Sequence, residues 1–151
     1  MRKKDKEITE KKQIEEIIKQ ATVCHAALCL NNQPYIVPFN FGHKDNCLYF
    51  HSAREGRKID MIRGNNNVCF EFDIGHKMSR KGQACEWSFS YQSVIGFGHA
   101  FIIDNPEEKR QGLEVIMSHY SKRTFEFLDE KIKNVVIIKV EIESMTGKRS
   151  G

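Results

Sequence analysis

The chain has 151 residues, 40% hydrophobic and 29% charged, which suits one compact domain of ordinary globular composition. Residues 1–12 hold six cations against three anions, so only one positive charge of the net +4 is left for the rest of the chain, and a broad nucleic-acid footprint is excluded. No apolar run approaches the roughly eighteen residues of a membrane span, and the charged opening "MRKKDKEITEKK" lacks the apolar core of a secretory signal, so the expectation is a cytoplasmic protein with no membrane segment.

Residues 1–8 read as a basic tail. Thr9 is placed to cap a first helix with Glu10 in its first turn, and Ile14, Ile17, Ile18 and Ala21 form its apolar stripe. From Val23 the pattern shortens to strand segments: "VCHAALCL", the turn "NNQP", "YIVPFNF", the turn "GHKDN", then "CLYFHS". Connections this short join antiparallel neighbours, since a parallel crossover needs about a dozen residues or more. After them Ser52 and Glu55 have capping-box spacing, Ile59 and Ile62 share a helical face, and Gly64 with "NNN" stops a short helix. "VCFEFD" is the fourth strand. The polar, glycine-containing "DIGHKMSRKGQAC" that follows predicts a mobile lid.

"SVIGFGHAFII" is the fifth strand, and its "GFGH" marks a bulge or a close backbone approach. A helix then starts with Asn105 as cap, Pro106 at its first position and Glu108 at the capping-box position, with Leu113, Ile116, Met117 and Tyr120 on one side. "NVVIIKVEIE" is the last strand, and residues 145–151 read as a flexible basic tail. Six strands with few helices predict a mainly β chain with flanking α elements, a small antiparallel barrel spanning 1–151 as a single domain.

The five cysteines, Cys24, Cys29, Cys47, Cys69 and Cys85, are odd in number, lack a CxxC pair and mostly sit in apolar strand segments, which predicts reduced, buried thiols. A zinc site from Cys24, His25 and Cys29 matches no ligand spacing, so no metal site is expected. The chain also lacks a Gly-x-Gly-x-x-Gly after a strand, HExxH, GxSxG and a usefully spaced carboxylate pair.

The stretch "HSAREGRK", residues 51–58, carries the chemistry. A strand running into a helix leaves the first backbone N–H groups pointing into the gap, where the helix dipole also favours an anion. Ser52 can donate a hydroxyl there, Arg57 a bidentate fork and Lys58 a point charge, which together suit a phosphate. A solvated first turn with two surface cations is the other reading, and spacing alone leaves both open.

"FHSAREGRK" is similar to the phosphate-binding stretch of the pyridoxamine 5'-phosphate oxidase superfamily. The wider pattern "PYIVPFNFG…LYFHSAREGRKID…VCFEFD…CEWSFSYQSVIGFGHA…MTGKRS" resembles its nitroimidazole-resistance, nitroreductase-like branch from Ile8 to Arg149. The resemblance implies a Greek-key split β-barrel that binds FMN at a homodimer interface. It implies that Arg57 and Lys58 hold the phosphate with Ser52, and that Val37, Pro38, Phe39 and Asn40 present main-chain groups to the flavin ring. Ser93 falls where the oxidases place a flavin-contacting glutamine. Lys148 and Arg149 match the basic end of the branch. The chain has no counterpart of the oxidases' terminal tryptophan and arginine segment, which argues against pyridoxamine phosphate oxidation.

His51 points to the face opposite Ser52 by strand alternation. The resemblance sets it close to the flavin, where an imidazole could donate a proton to reduced substrate, while a histidine hydrogen-bonded in the barrel wall is the alternative. Trp87, Phe89 and Tyr91 alternate along "CEWSFSYQS", so an extended chain puts all three on one side. Trp87 and Tyr91 then line a substrate pocket, or the aromatics fill a dimer core. The implied activity is electron transfer from NADH or NADPH through FMN to a flat acceptor such as a nitroimidazole. The alternative is a flavin- or haem-binding module without turnover, with His51 or His99 as haem ligands.

Overall fold

The computed structural model describes residues 4–151. Its frame is one antiparallel sheet of β1 (Glu7–Ile8), β2 (Cys24–Leu30), β3 (Gln33–Phe39), β4 (Gly42–Lys44), β5 (Cys47–Ala53), β6 (Asn67–Ser79), β7 (Ser88–Ile103) and β8 (Val135–Ser150). The strand order is β3-β2-β6-β7-β8-β5-β4, with β1 added to β8. Because β3 and β4 stand at opposite ends of this order yet are joined only by Asn40 and Phe41, the sheet curls until its edges approach. It is not hydrogen-bonded shut, which is a split barrel. The six long strands are the six that alternation predicts. The other two, β1 and β4, are too short to show a period.

Both short hairpins have turns that match the twist of their strands. Asn31 and Asn32 stand at φ 51° and 61°, and Asp45 and Asn46 at 51° and 59°, so each pair makes a two-residue turn with both residues left-handed. Alternation then sends Ala26, Leu28, Leu48, Phe50, Val68, Phe70, Phe72, Val94, Val136, Ile138 and Val140 inward, where Ile14, Ile17 and Ile18 of α1 (Lys11–Gln20) close the core. Burying each such side chain contributes about 1.5–3 kcal/mol. At Gly96 on β7 a Cβ would stand 2.2 Å from the ring of Phe70, and the β7–β8 register shifts between Phe97 and Gly98. The "GFGH" segment is thus both a close approach and a bulge.

Several expectations are corrected. The carbonyl of Glu10, not Thr9, opens α1, accepting from the amides of Gln13 and Ile14. α2 (Arg57–Gly64) starts after Gly56, with no side-chain cap from Ser52, because β5 keeps pairing with β8 as far as Ala53. The basic tail expected over 1–8 lies outside the described residues at 1–3, while Glu7 and Ile8 pair with Lys148 and Gly147. Residues 145–150, expected as a flexible tail, belong to β8, where Tyr91, Gln92 and Ser93 of β7 pair with Ser150, Arg149 and Lys148. The expected lid is largely hairpin: β6 runs on to Ser79, pairing Lys77, Met78 and Ser79 with Ser90, Phe89 and Ser88 after a register shift past Ile74.

α3 (Pro106–Tyr120) is capped as expected, Asn105 Oδ1 accepting from the amides of Glu107 at 3.0 Å and Glu108 at 3.2 Å. Its last turn is stitched to the barrel by Tyr120, whose hydroxyl accepts from the Phe41 amide and donates to the Thr22 carbonyl. α4 (Asp129–Ile132), which no periodicity announced, leads into β8.

Candidate functional site

The joint between β5 and α2 gathers the predicted phosphate ligands. Along β5, Leu48, Phe50 and Ser52 face inward and His51 outward. Ser52 is 4% exposed, and among the described residues its hydroxyl has no hydrogen-bond partner. Buried polar groups are nearly always paired, and Ser52 Oγ shares this unpaired state only with His43 Nε2 among the described residues, so its hydroxyl is available to a ligand group. Arg57 and Lys58 begin the helix immediately after Gly56, whose φ of 119° is left-handed and suits glycine.

Neither cation forms an ion pair among the described residues. Arg57 instead lies over the ring of Tyr35, its guanidinium carbon 4.7 Å from the centroid, and the Lys58 ammonium stands 6.0 Å from the centroid of Phe39. Two cations at a helix start oppose the dipole, and although Asp60 stands in the same first turn it pairs with neither among the described residues, whereas a dianion would satisfy both and the first-turn amides. A depression of about 370 Å³ lined by Leu30, Asn31, Gln33, Arg57, Asp60 and Met61 opens beside them. Larger cavities of about 440 Å³ over α3 and about 460 Å³ between α1 and the β4–β5 turn contain none of the residues expected at the flavin.

The turn before the helix is anchored. Arg54 donates to both carboxylate oxygens of Asp104 and to the carbonyl of Lys133 at 2.8 Å. The buried ammonium of Lys109 spends three hydrogen bonds on Asp104 Oδ1 at 3.0 Å and on the carbonyls of Ile132 and Val135, each at 3.1 Å. The Lys109 bond, followed by that of Arg54, holds the Asp104 carboxyl below the usual carboxylate range despite desolvation.

Val37, Pro38 and Phe39 end β3 and Asn40 follows it; among the described residues this edge strand has β2 as its one sheet neighbour. Main-chain groups on its free side are therefore unpaired by the sheet and open to a planar ligand, as the resemblance implies. Pro34 and Pro38 are tolerated there because an edge strand can spare an N–H. Phe39 turns inward and stacks on Phe50 with centroids 4.6 Å apart, which links this edge to the strand that carries Ser52.

The other expected residues are dispersed. His51 is exposed on the outer face and its ring makes no hydrogen bond among the described residues, unlike the wall-bonded histidine of the alternative reading. Ser93 is buried at 7% in the middle of β7, between Asp73 and Lys148 in register, with no hydrogen bond to Ser52, Arg57 or Lys58 among the described residues. Trp87 does not share a strand face with Phe89 and Tyr91. It ends a 3-10 turn (Ala84–Glu86), 49% exposed, with the Arg80 guanidinium 5.8 Å from its ring. Phe89 and Tyr91 do sit side by side at 6.1 Å, and Tyr91 accepts a 2.7 Å hydrogen bond from Lys148. Cys24 faces the core and His25 the outside, which dismantles the Cys24–His25–Cys29 grouping; burial pushes the Cys24 thiol well up, whereas Cys29 and Cys85 are exposed, against the expectation of buried thiols.

One group escaped the sequence reading. On the outer face His25 Nδ1 lies 3.5 Å from Glu71 Oε2, and one donor atom each from His25, Glu71 and Asp73 fall within 4.8 Å of one another. His76, stacked on Phe89, closes on Asp73. Burial, then the Asp73 charge, raises the Glu71 carboxyl's pKa, against the pull of His25. The signal was present in "VCFEFD", whose alternation puts Glu71 and Asp73 on one face and Phe70 and Phe72 on the other.

The family model of pyridoxamine 5'-phosphate oxidase matches residues 10–149. Among solved structures, the chain is similar to a candidate 5-nitroimidazole antibiotic resistance protein from Bacteroides thetaiotaomicron VPI-5482, at 42% identity and a TM-score of 0.86 over 96% of this chain and 87% of that one. An FAD and haem binding protein from Mycobacterium smegmatis shares the fold at 14% identity, with a TM-score of 0.85 over 96% of this chain and 73% of that one. A curated protein of Rhizobium meliloti (strain 1021), whose function is uncharacterized, is 36% identical over 55 residues, and the match spans 36% of its length and 36% of this chain.

Proposed function

Since the chain belongs to the pyridoxamine 5'-phosphate oxidase family, in its nitroimidazole-resistance branch, we propose that it is an FMN-dependent oxidoreductase passing electrons from NADH or NADPH to a flat acceptor such as a nitroimidazole. The observation that carries this reading is the open, buried hydroxyl of Ser52 ahead of a helix that starts on two cations without carboxylate partners among the described residues. Arg57 would hold the phosphate with its guanidinium fork, Lys58 would add a charge and Ser52 would donate its hydroxyl, each charge-assisted bond contributing about 1.5–3 kcal/mol. The free edge of β3 at Val37, Pro38 and Phe39, with the following Asn40, would support the ring through main-chain groups, and Ser93 would add a contact. When bound, the flavin supplies the hydride and electron chemistry.

The residues of the chain then orient the acceptor and manage protons. His51, exposed on the outer face, holds a proton on its ring nitrogen for the reduced acceptor. Tyr91 and Trp87 offer flat surfaces for an aromatic acceptor. A second copy of the chain completes the site as a homodimer with FMN at the interface. The outer sheet face supports this, because it leaves Ile36 64%, Ile95 44%, Phe97 53% and Phe101 41% exposed. Among the described residues no helix is long and apolar enough to cross a membrane, and five free cysteines suit the reducing cytoplasm.

Steady-state turnover tests the activity. Flavin-loaded protein given NADH or NADPH and a nitroimidazole should oxidise many nicotinamides per flavin. A loaded protein that completes no cycle with either donor would instead be a binding module.

A further inference from the structure

The outer face carries a second constellation that the flavin reading does not use. His25 on β2 and Glu71 and Asp73 on β6 converge, and His76, at the register shift of β6, returns onto Asp73. We propose that His25, Glu71 and Asp73, with His76 as a fourth donor, form a binding site for one divalent transition-metal cation. The donors are two imidazoles and two carboxylates with no thiolate, a set that suits zinc, cobalt, nickel or ferrous iron over calcium or copper(I).

The geometry is close to that of a loaded site. Ligand atoms about 2.1 Å from a metal stand about 3.0–3.4 Å from one another when adjacent. His25 Nδ1 and Glu71 Oε2 are 3.5 Å apart, and the Asp73 carboxylate lies within 4.8 Å of both, so the donors need to draw in by about 1–2 Å at most to hold one ion. The backbone is fixed: His25 pairs directly with Glu71 across the β2–β6 ladder, and residues 71 and 73 lie two apart on the same strand face. In the single chain the side chains are 41% exposed for His25, 32% for Glu71, 30% for Asp73 and 46% for His76, which admits an ion before any second copy covers the neighbouring Ile95. Two carboxylates held side by side repel one another, and a dication between them removes that repulsion in a way two separate histidine pairs do not.

The site shares no ligand with Ser52, Arg57 or Lys58, so its failure would leave the flavin reading standing. The test is titration of the tag-free, chelator-stripped full chain with cobalt(II), followed by visible absorption. The expected result is saturable binding of one cobalt per chain with ligand-field bands, weakened about 100-fold or more in His25→Gln and Asp73→Asn and about tenfold in His76→Ala. His99→Ala should match the parent, because His99 faces Glu143 at 4.0 Å on the same sheet face outside the cluster. Far-UV circular dichroism confirms that each half-exposed replacement is folded. Absence of saturable cobalt bands in the parent, equal affinity in His25→Gln and Asp73→Asn, or an equal loss in His99→Ala would overturn the site.

Discussion

Ser52 carries opposite costs in the empty and loaded protein. A buried hydroxyl without a partner costs about 1–3 kcal/mol, so Ser52→Ala should leave the flavin-free chain as stable as the parent or about 1 kcal/mol more stable in urea denaturation. The same replacement should weaken flavin retention about tenfold, a loss of about 1.4 kcal/mol. A clear loss of stability without flavin would mean that the hydroxyl is already paired. Asp104 behaves differently. Its folded carboxyl is held below the ordinary value by Lys109 and then Arg54, so it contributes stability above the unfolded pKa of about 3.9 and loses it as pH falls through the lower folded value. The stability gap between the parent and Asp104→Asn should therefore narrow as denaturation is repeated from about pH 5 down to pH 3. A gap that stays constant would remove Asp104 from the anchoring of the turn.

At the level of elements, Gly96 is where two strands and an aromatic ring come closest. A Cβ there meets Phe70 at 2.2 Å and the Ser144 carbonyl at 2.8 Å, so Gly96→Ala should destabilise by about 1–3 kcal/mol, read as a lower urea midpoint with an unchanged slope. Such elements were legible where period and turn chemistry agreed. Alternation located all six long strands, and "NN" and "DN" marked the hairpin turns. It could not set the start of α2, because strand pairing of Ser52 with Val136 overrides the local capping spacing of Ser52 and Glu55. Nor could it show that the polar stretch after Asp73 pairs with β7, or that "MTGKRS" is strand, since both depend on long-range partners. The candidate phosphate ligands Ser52, Arg57 and Lys58 could be proposed from sequence because they lie close together along the chain. The His25–Glu71–Asp73 cluster could not, because it forms only across a ladder.

For the whole molecule, the curled sheet explains why the site lies where it does. Joining the two edge strands through Asn40 and Phe41 brings the free side of β3 near β5 and the start of α2. The outer face, with Ile95 and Phe97 exposed, is suited to a second copy, and Phe97→Glu should shift sedimentation from dimer to monomer and release flavin with it. A parent that sediments as a monomer with flavin bound would contradict the shared site. The central claim is that Arg57 and Lys58 exist to hold a phosphate, and fluorescence titration of the flavin-free protein with FMN and with riboflavin tests it most directly. The parent should bind FMN at least about 100-fold more tightly, and the Arg57→Ala, Lys58→Ala double variant should lose that preference while keeping its fold. Equal affinity of the parent for the two flavins, or an undiminished preference in the double variant, would contradict it.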